Sequence, residues 1–432
     1  MRSAIAVTIA PAALVVAAIA LLLGLHAAGA GFQGDPHAVV RDAAPGGRLW
    51  EVADRRAPVI GVTLLVWLAA FGAAMLAERV SARFGAPSPR MGWKRRTGKA
   101  AARLLALSLV YLPLVCLVAA ALEPSVDAER LLVMLGSPAL AALTLATLGG
   151  YRALAFACAA TSLAYAIDLI GGSALTQLSL VGPNPAGGRR FYGIGNELEA
   201  CLVVLILVGT GAALCSSYVP EHVRTAQRRN GDRGPAAFLV VAAIFTFVFA
   251  YGRYGADVGA AISLPLGAAV AAALLAGRRR LALLAFLLPI PALAILSAAD
   301  LVTSANAHLT KTVLDAKSGG DVLSVVGHRL SETVSSFARP VLVAGLPVLI
   351  AAAAIAWLRR DVLATWLRDL PAMRAALLGA LAATLVGTLA NDSGALLLEI
   401  GGAYLLVFTG FAWSESAPAE IVEASDIRLP RQ

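Results

Sequence analysis

Charge is what this chain has least of. Only 14% of its 432 residues are Asp, Glu, Lys or Arg, against about 25% in soluble domains. With 59% hydrophobic residues and a mean hydropathy of +0.79, that scarcity excludes a soluble fold, which has nowhere to bury so much apolar surface. Cysteine is also scarce. Cys116, Cys158, Cys201 and Cys215 all lie inside apolar runs; this excludes a disulfide framework and a thiolate metal site and leaves them as small buried hydrophobes. The dinucleotide fingerprint is missing too, because Gly193-Ile-Gly-Asn196 lacks a third glycine and a preceding strand. The net charge of +9 does not point to nucleic acid. The basic residues sit in short clusters between apolar runs, the pattern of membrane topology and of contact with anionic headgroups.

What is present is a series of runs long enough to cross a bilayer, which takes about 20 apolar residues each. The sequence predicts an all-α polytopic transmembrane bundle of about twelve spans, near residues 5–28, 58–77, 103–122, 131–150, 153–171, 198–218, 236–251, 258–277, 281–299, 340–358, 375–390 and 395–413. Pro289 and Pro291 are expected to kink the ninth. The first run resembles a signal peptide but exceeds the roughly 7–15 residues of such a core, so it reads as a retained helix. Residues 1–413 then form one integral-membrane domain, and the acidic, polar segment 414–432 is a cytoplasmic tail expected to be disordered. With both termini in the cytoplasm, the inner segments carry 23 Lys and Arg residues and the outer ones 12, which sets the orientation. High Ala content and Arg in preference to Lys suggest a GC-rich bacterial genome, and hence a bacterial cytoplasmic membrane.

Two outer segments are long. Residues 30–57 are polar. Within 300–339, Val322, Val326, Leu330, Val334 and Phe337 recur at helical spacing, which predicts a short amphipathic helix on the outer membrane surface with His328 and Glu332 on its opposite face.

Three polar breaks interrupt the apolar pattern: VGPNPAGGRRFYGIGNELEA at 181–200, GRYGADVG at 252–259 and ANDSG at 390–394. In this topology each opens an inward-going helix at its outer end, so Glu197, Asp257 and Asn391-Asp392-Ser393 share one side of the membrane. His328 and Asp168 lie on that side, and Glu399 sits about two turns into the last helix. The carboxylates admit three readings. Each can cap its own helix, since Asn and Asp accept orphan backbone N–H bonds and negative charge suits the helix dipole. Glu197, Asp257 and Asp392, with amide oxygens of Asn196 or Asn391, can form an oxygen-rich set for Mg²⁺, Ca²⁺ or Mn²⁺. Or Glu197, Asp257, Asp392 and His328 can do acid–base work near a low-dielectric boundary. In that third reading Arg190, with Arg189 and Arg253, holds a phosphate through its guanidinium fork. Gly193, Gly195 and Gly255 add backbone donors, Asn196, Asn391 and Ser393 line the site, and Tyr192 and Tyr254 stack on a sugar or anchor at the interface.

Arg190-Phe-Tyr-Gly-Ile-Gly-Asn-Glu197, Gly255-Ala-Asp-Val-Gly259 and Asn391-Asp-Ser-Gly394, with Gly327-His-Arg329 between the last two, resemble in order and content a group of polytopic membrane proteins of Gram-positive bacteria. The resemblance covers roughly residues 150–410. That group has no established activity, so the resemblance implies a shared site at Tyr192, Asn196, Glu197, Asp257, His328, Asn391 and Asp392 but no reaction. Two functions fit. One is an envelope enzyme, a transferase or hydrolase acting at the outer face on a lipid-linked or phosphate-bearing glycan. The alternative is a multi-pass transporter or lipid flippase, against which stands the scarcity of charge near the midplane.

Overall fold

The computed structural model describes residues 47–84, 91–183, 193–216, 233–251, 254–288, 291, 331, 333–337, 340–391 and 393–416. Among these residues all regular structure is helical. The helices are α1 (Arg48–Arg56), α2 (Val62–Phe84), α3 (Met91–Leu122), α4 (Val126–Leu148), α5 (Gly150–Ile170), α6 (Ala174–Leu178), α7 (Asn196–Ser216), α8 (Arg233–Ala250), α9 (Val258–Leu275), α10 (Arg279–Leu284), α11 (Pro340–Leu358), α12 (Arg360–Trp366), α13 (Pro371–Ala390) and α14 (Gly394–Glu415). Among the described residues nine helices are long and apolar enough to cross a membrane, the build of a multi-pass membrane protein. They coincide with nine of the runs expected from sequence. The expected run at 5–28 lies outside the described residues, that at 281–299 is described mainly at its start, and that at 340–358 is the apolar helix α11.

One expectation changes. Residues 48–56, read as part of a polar outer loop, form α1 and continue through a π-helical turn at Ala57–Gly61 into α2. Arg48, Glu51 and Asp54 are exposed, while Leu49, Val52 and Val59 are buried. Three arginines tie this helix to the bundle: Arg48 to Glu123 at 2.6 Å, Arg55 to Glu129 at 3.1 Å and Arg56 to Glu197 at 3.6 Å.

The centre of the bundle is α7, buried continuously from Leu198 to Gly209 and surrounded by α5, α8, α9, α13 and α14. A helix enclosed on all sides has no polar stripe. With lipid as solvent, helices associate through close backbone approach at small residues rather than by hiding apolar surface. A Cβ on Gly267 of α9 would fall 2.8 Å from the Gly379 carbonyl oxygen of α13, and one on Gly209 of α7 would fall 2.6 Å from Cys158 Cβ of α5. Outward-facing Leu65, Leu68, Leu135, Ile167, Leu239 and Ile244 are exposed, as lipid-facing residues are.

Two prolines inside helices show how the bundle satisfies its backbone. Proline cannot donate to the carbonyl four residues back, and hydrocarbon offers that carbonyl no water. Pro113 of α3 so frees the Leu109 oxygen, which accepts from Tyr404 Oη of α14 at 2.9 Å. Pro138 of α4 frees the Met134 oxygen, which accepts from Trp67 Nε1 of α2 at 3.0 Å.

The two ends of the bundle differ. One gathers the start of α3 and the end of α14, where Arg103 pairs with Glu415 at 2.5 Å and donates to the Ser414 oxygen at 2.9 Å. The other gathers the starts of α7, α9 and α14.

Candidate functional site

The chain segments that lead into these three helices meet. Ile194 N–H donates to the Gly255 carbonyl at 3.1 Å. Gly193 has φ +78°, and a Cβ there would strike the Gly255 carbonyl, so only glycine permits both the turn and the approach. The Gly255 strip is pinned in turn to the end of α8: Gly255 N–H donates to Val248 at 3.0 Å and Asp257 N–H to Phe249 at 3.0 Å. Asp257 then caps α9, accepting from Gly259 N–H at 3.0 Å. The third segment joins through Asn391, whose Nδ2 donates to Asn196 Oδ1 at 3.2 Å.

The side chain at the centre of this junction is Glu199. It is one helical turn into α7, about 5 Å below Asn196 along the axis, and only 1% exposed. Ser263 Oγ of α9 donates to its Oε1 at 3.0 Å, and Asn391 Nδ2 donates to its Oε2 at 3.0 Å. The Asp257 carboxylate, also buried, lies against it. Gly259 has no space for a Cβ because the Glu199 carboxylate occupies it. On the bundle side Glu199 lines a small cavity with Ala200, Val203, Ser263, Ala383, Thr384 and Leu397. Two carboxylates, two amides and a hydroxyl from α7, α9 and the α13–α14 turn therefore surround one spot just inside the apolar part of the bundle.

Glu197 occupies a different place. Residues two apart on a helix point about 200° away from each other, so when Glu199 turns inward Glu197 turns toward the mouth. There it faces Arg56, whose Nη2 donates to the Gly182 and Pro183 carbonyls at 2.7 and 2.8 Å. Arg56 thus holds both ends of the segment that carries the first polar break. Asp168 is a capping group: its two oxygens accept from Leu175 and Thr176 N–H at 3.1 and 2.7 Å at the start of α6.

Of the remaining residues singled out from sequence, Tyr254 packs edge-on against Tyr251, with ring centroids 5.3 Å apart, and Ser393 N–H donates to Asn391 Oδ1 at 3.3 Å. Arg190, Tyr192, His328 and Asp392 lie outside the described residues. Most of the expected amphipathic helix lies outside the described residues; within it residues 333–336 are helical. Thr333 Oγ1 donates to the Asn391 carbonyl at 2.7 Å, and Ser336 Oγ accepts from Ala395 N–H at 3.1 Å, capping α14. Val334 is exposed, so the polar side of this segment docks on the site. Among the described residues no three His, Cys, Asp or Glu side chains come together as a metal set.

Sequence reading took Glu197 from the Asn-Glu-Leu-Glu stretch and passed over Glu199, and it missed Ser263, Arg56 and Thr333 altogether. The signal for Glu199 was there: it is the acid that lies inside the apolar run. Nothing in the sequence marks Ser263 or Arg56, whose roles come from distant packing. No protein family, curated protein or solved structure matches the chain.

Proposed function

We propose that the Glu199–Asp257 pair is the working centre of an integral-membrane enzyme of the bacterial cell envelope. In this reading it acts at the outer face on a lipid-linked or phosphate-bearing glycan. The observation that carries the reading is the buried junction of Glu199, Asp257, Asn391, Asn196 and Ser263 at the end of the bundle where α7, α9 and α14 begin. The proposed topology is twelve spans with both termini in the cytoplasm, which puts that end outside; the distribution of Lys and Arg supports it.

Two carboxylates closed off from water share a proton, so one accepts while the other donates. Such a pair can activate a hydroxyl or water and return the proton to a leaving group. Asn391, bonded to both Glu199 and Asn196, keeps the pair in register. Arg56 and Glu197 form the mouth, and Arg190 in the adjoining segment supplies a phosphate contact. A divalent cation, Mg²⁺, Ca²⁺ or Mn²⁺, held by Asp257 and Asp392 is an alternative form of this proposal, in which Asp257 is ionised and the proton is not shared; its support is the oxygen-only character of the donors.

A transporter or flippase is the second reading, favoured by the depth of Glu199 inside a membrane-spanning helix, since intramembrane acids mark ion and substrate paths. One experiment separates the two. Purified protein in proteoliposomes is given a polyprenyl-phosphate-linked oligosaccharide, and the lipid extract is followed by mass spectrometry. Turnover by the wild type, abolished by Glu199→Gln and by Asp257→Asn and sensitive to chelation if a cation serves, supports the enzyme. Movement of the intact lipid between leaflets without covalent change supports the transporter and overturns the enzyme.

A further inference from the structure

Glu399 is an acid inside a membrane-spanning helix that the Glu199 junction does not use. It lies about 8 Å along α14 from Gly394, on the face turned away from that junction. Leu397 and Gly401 pack toward α13, with Cβ positions at Gly387 and Gly401 falling 3.2 Å from Leu397 Cδ2 and 2.6 Å from Thr384 Oγ1. Glu399 and Gly402 face α11 instead. A Cβ on Gly345 would fall 2.6 Å from Glu399 Oε1, and one on Gly402 would fall 3.0 Å from Leu349 Cδ2. Gly345 and Leu349, one turn apart on α11, therefore form a notch that receives the carboxyl group.

Inside this notch Oε1 of Glu399 is closed off from the surface and has no hydrogen-bond partner among the described residues. No titratable group among the described residues faces it. Between Gly345 and Leu358, α11 carries none. The one charged residue of α13, Arg374, is at its opposite end. On α7 Glu199 is turned to Asn391 and Ser263, and on α3 Tyr111 bonds Thr144 while Arg103 pairs with Glu415. A charged oxygen without a partner is costly in hydrocarbon, and the neutral acid avoids that cost.

We propose that Glu399 is a proton-binding site within the membrane, in the α11–α14 crevice, separate from the Glu199–Asp257 pair. The carboxylate takes its proton from hydronium at the membrane–water boundary and holds it as the neutral acid while it sits in the notch. This inference does not rest on the glycan reading.

The test uses dicyclohexylcarbodiimide, an apolar reagent. A protonated carboxyl adds across it to give an O-acylisourea, which rearranges to a stable N-acylurea with no group lost. Full-length protein in nanodiscs is labelled at pH 6 and at pH 9, and the peptide carrying Glu399 is read by mass spectrometry, apart from that carrying Glu199. The expected result is an adduct on Glu399 at pH 6 that falls at least several-fold at pH 9. It is absent in Glu399→Gln and reduced in Gly345→Val, which keeps the acid but puts a side chain where its carboxyl group sits. Absence of the adduct on wild-type Glu399, or labelling equal at the two pH values, overturns the proposal.

Discussion

At the scale of single residues, the junction turns on which group donates to which. Asn391 is the one described side chain that donates to both Glu199 and Asn196. Asn391→Ala removes the donor to the buried Glu199 Oε2, and such a loss costs about 1–3 kcal/mol. A lowered melting temperature of the purified protein in detergent is the expected outcome. Asn391→Asp, which adds a third carboxylate in place of a donor, is expected to lower it further. Gly259→Ala puts a methyl group where the Glu199 carboxylate sits. It is expected to abolish turnover while a change of the same size at Gly61, which has open space beside it, leaves turnover intact. The polar breaks themselves were legible in the sequence because Gly, Asn and acid stand out against apolar helices. The choice between Glu197 and Glu199 was not, because it depends on the rotation of α7, which is fixed by packing on every side of that helix.

At the scale of elements, spans were legible because membrane helices must satisfy their own backbone and so need a minimum apolar length. The first described helix was not. Arg48, Arg55 and Arg56 break the hydropathy signal, and the glutamates that receive them, Glu123, Glu129 and Glu197, are remote in sequence. The proline carbonyls give a sharp test of the same backbone rule. Tyr404→Phe strips the donor from the Leu109 carbonyl that Pro113 leaves free, which costs about 1–3 kcal/mol. In a Pro113→Ala background the new amide serves that carbonyl, so the same substitution is expected to cost less. A double-mutant cycle in thermal stability is expected to show a coupling of about 1 kcal/mol between the two positions, and additivity would contradict the assignment. The pair Pro138 and Trp67 is expected to behave alike.

At the scale of the whole molecule, the bundle places its polar junction at one end and at the other the Arg103–Glu415 ion pair, beside which Arg103 and Lys99 donate to the Ser414 and Ser416 carbonyls. In the proposed topology the junction faces the exterior. A cysteine at position 197 is then expected to react with a membrane-impermeant thiol reagent added to intact cells, and one at position 278 only after permeabilisation. The reverse pattern would invert the topology.

The central claim is that three remote chain segments close on one another around Glu199. The most direct measurement places cysteines at Asn196 and Asn391, whose side chains stand 3.2 Å apart, in a background freed of the four native cysteines, and adds a short bis-methanethiosulfonate linker. Bridging of the double variant within one chain, read as a linked peptide pair by mass spectrometry and missing when the second cysteine is moved to Leu406, is the result expected. Two modified but unlinked cysteines in a protein that remains folded would mean that each helix only finishes itself, and that the shared site does not exist.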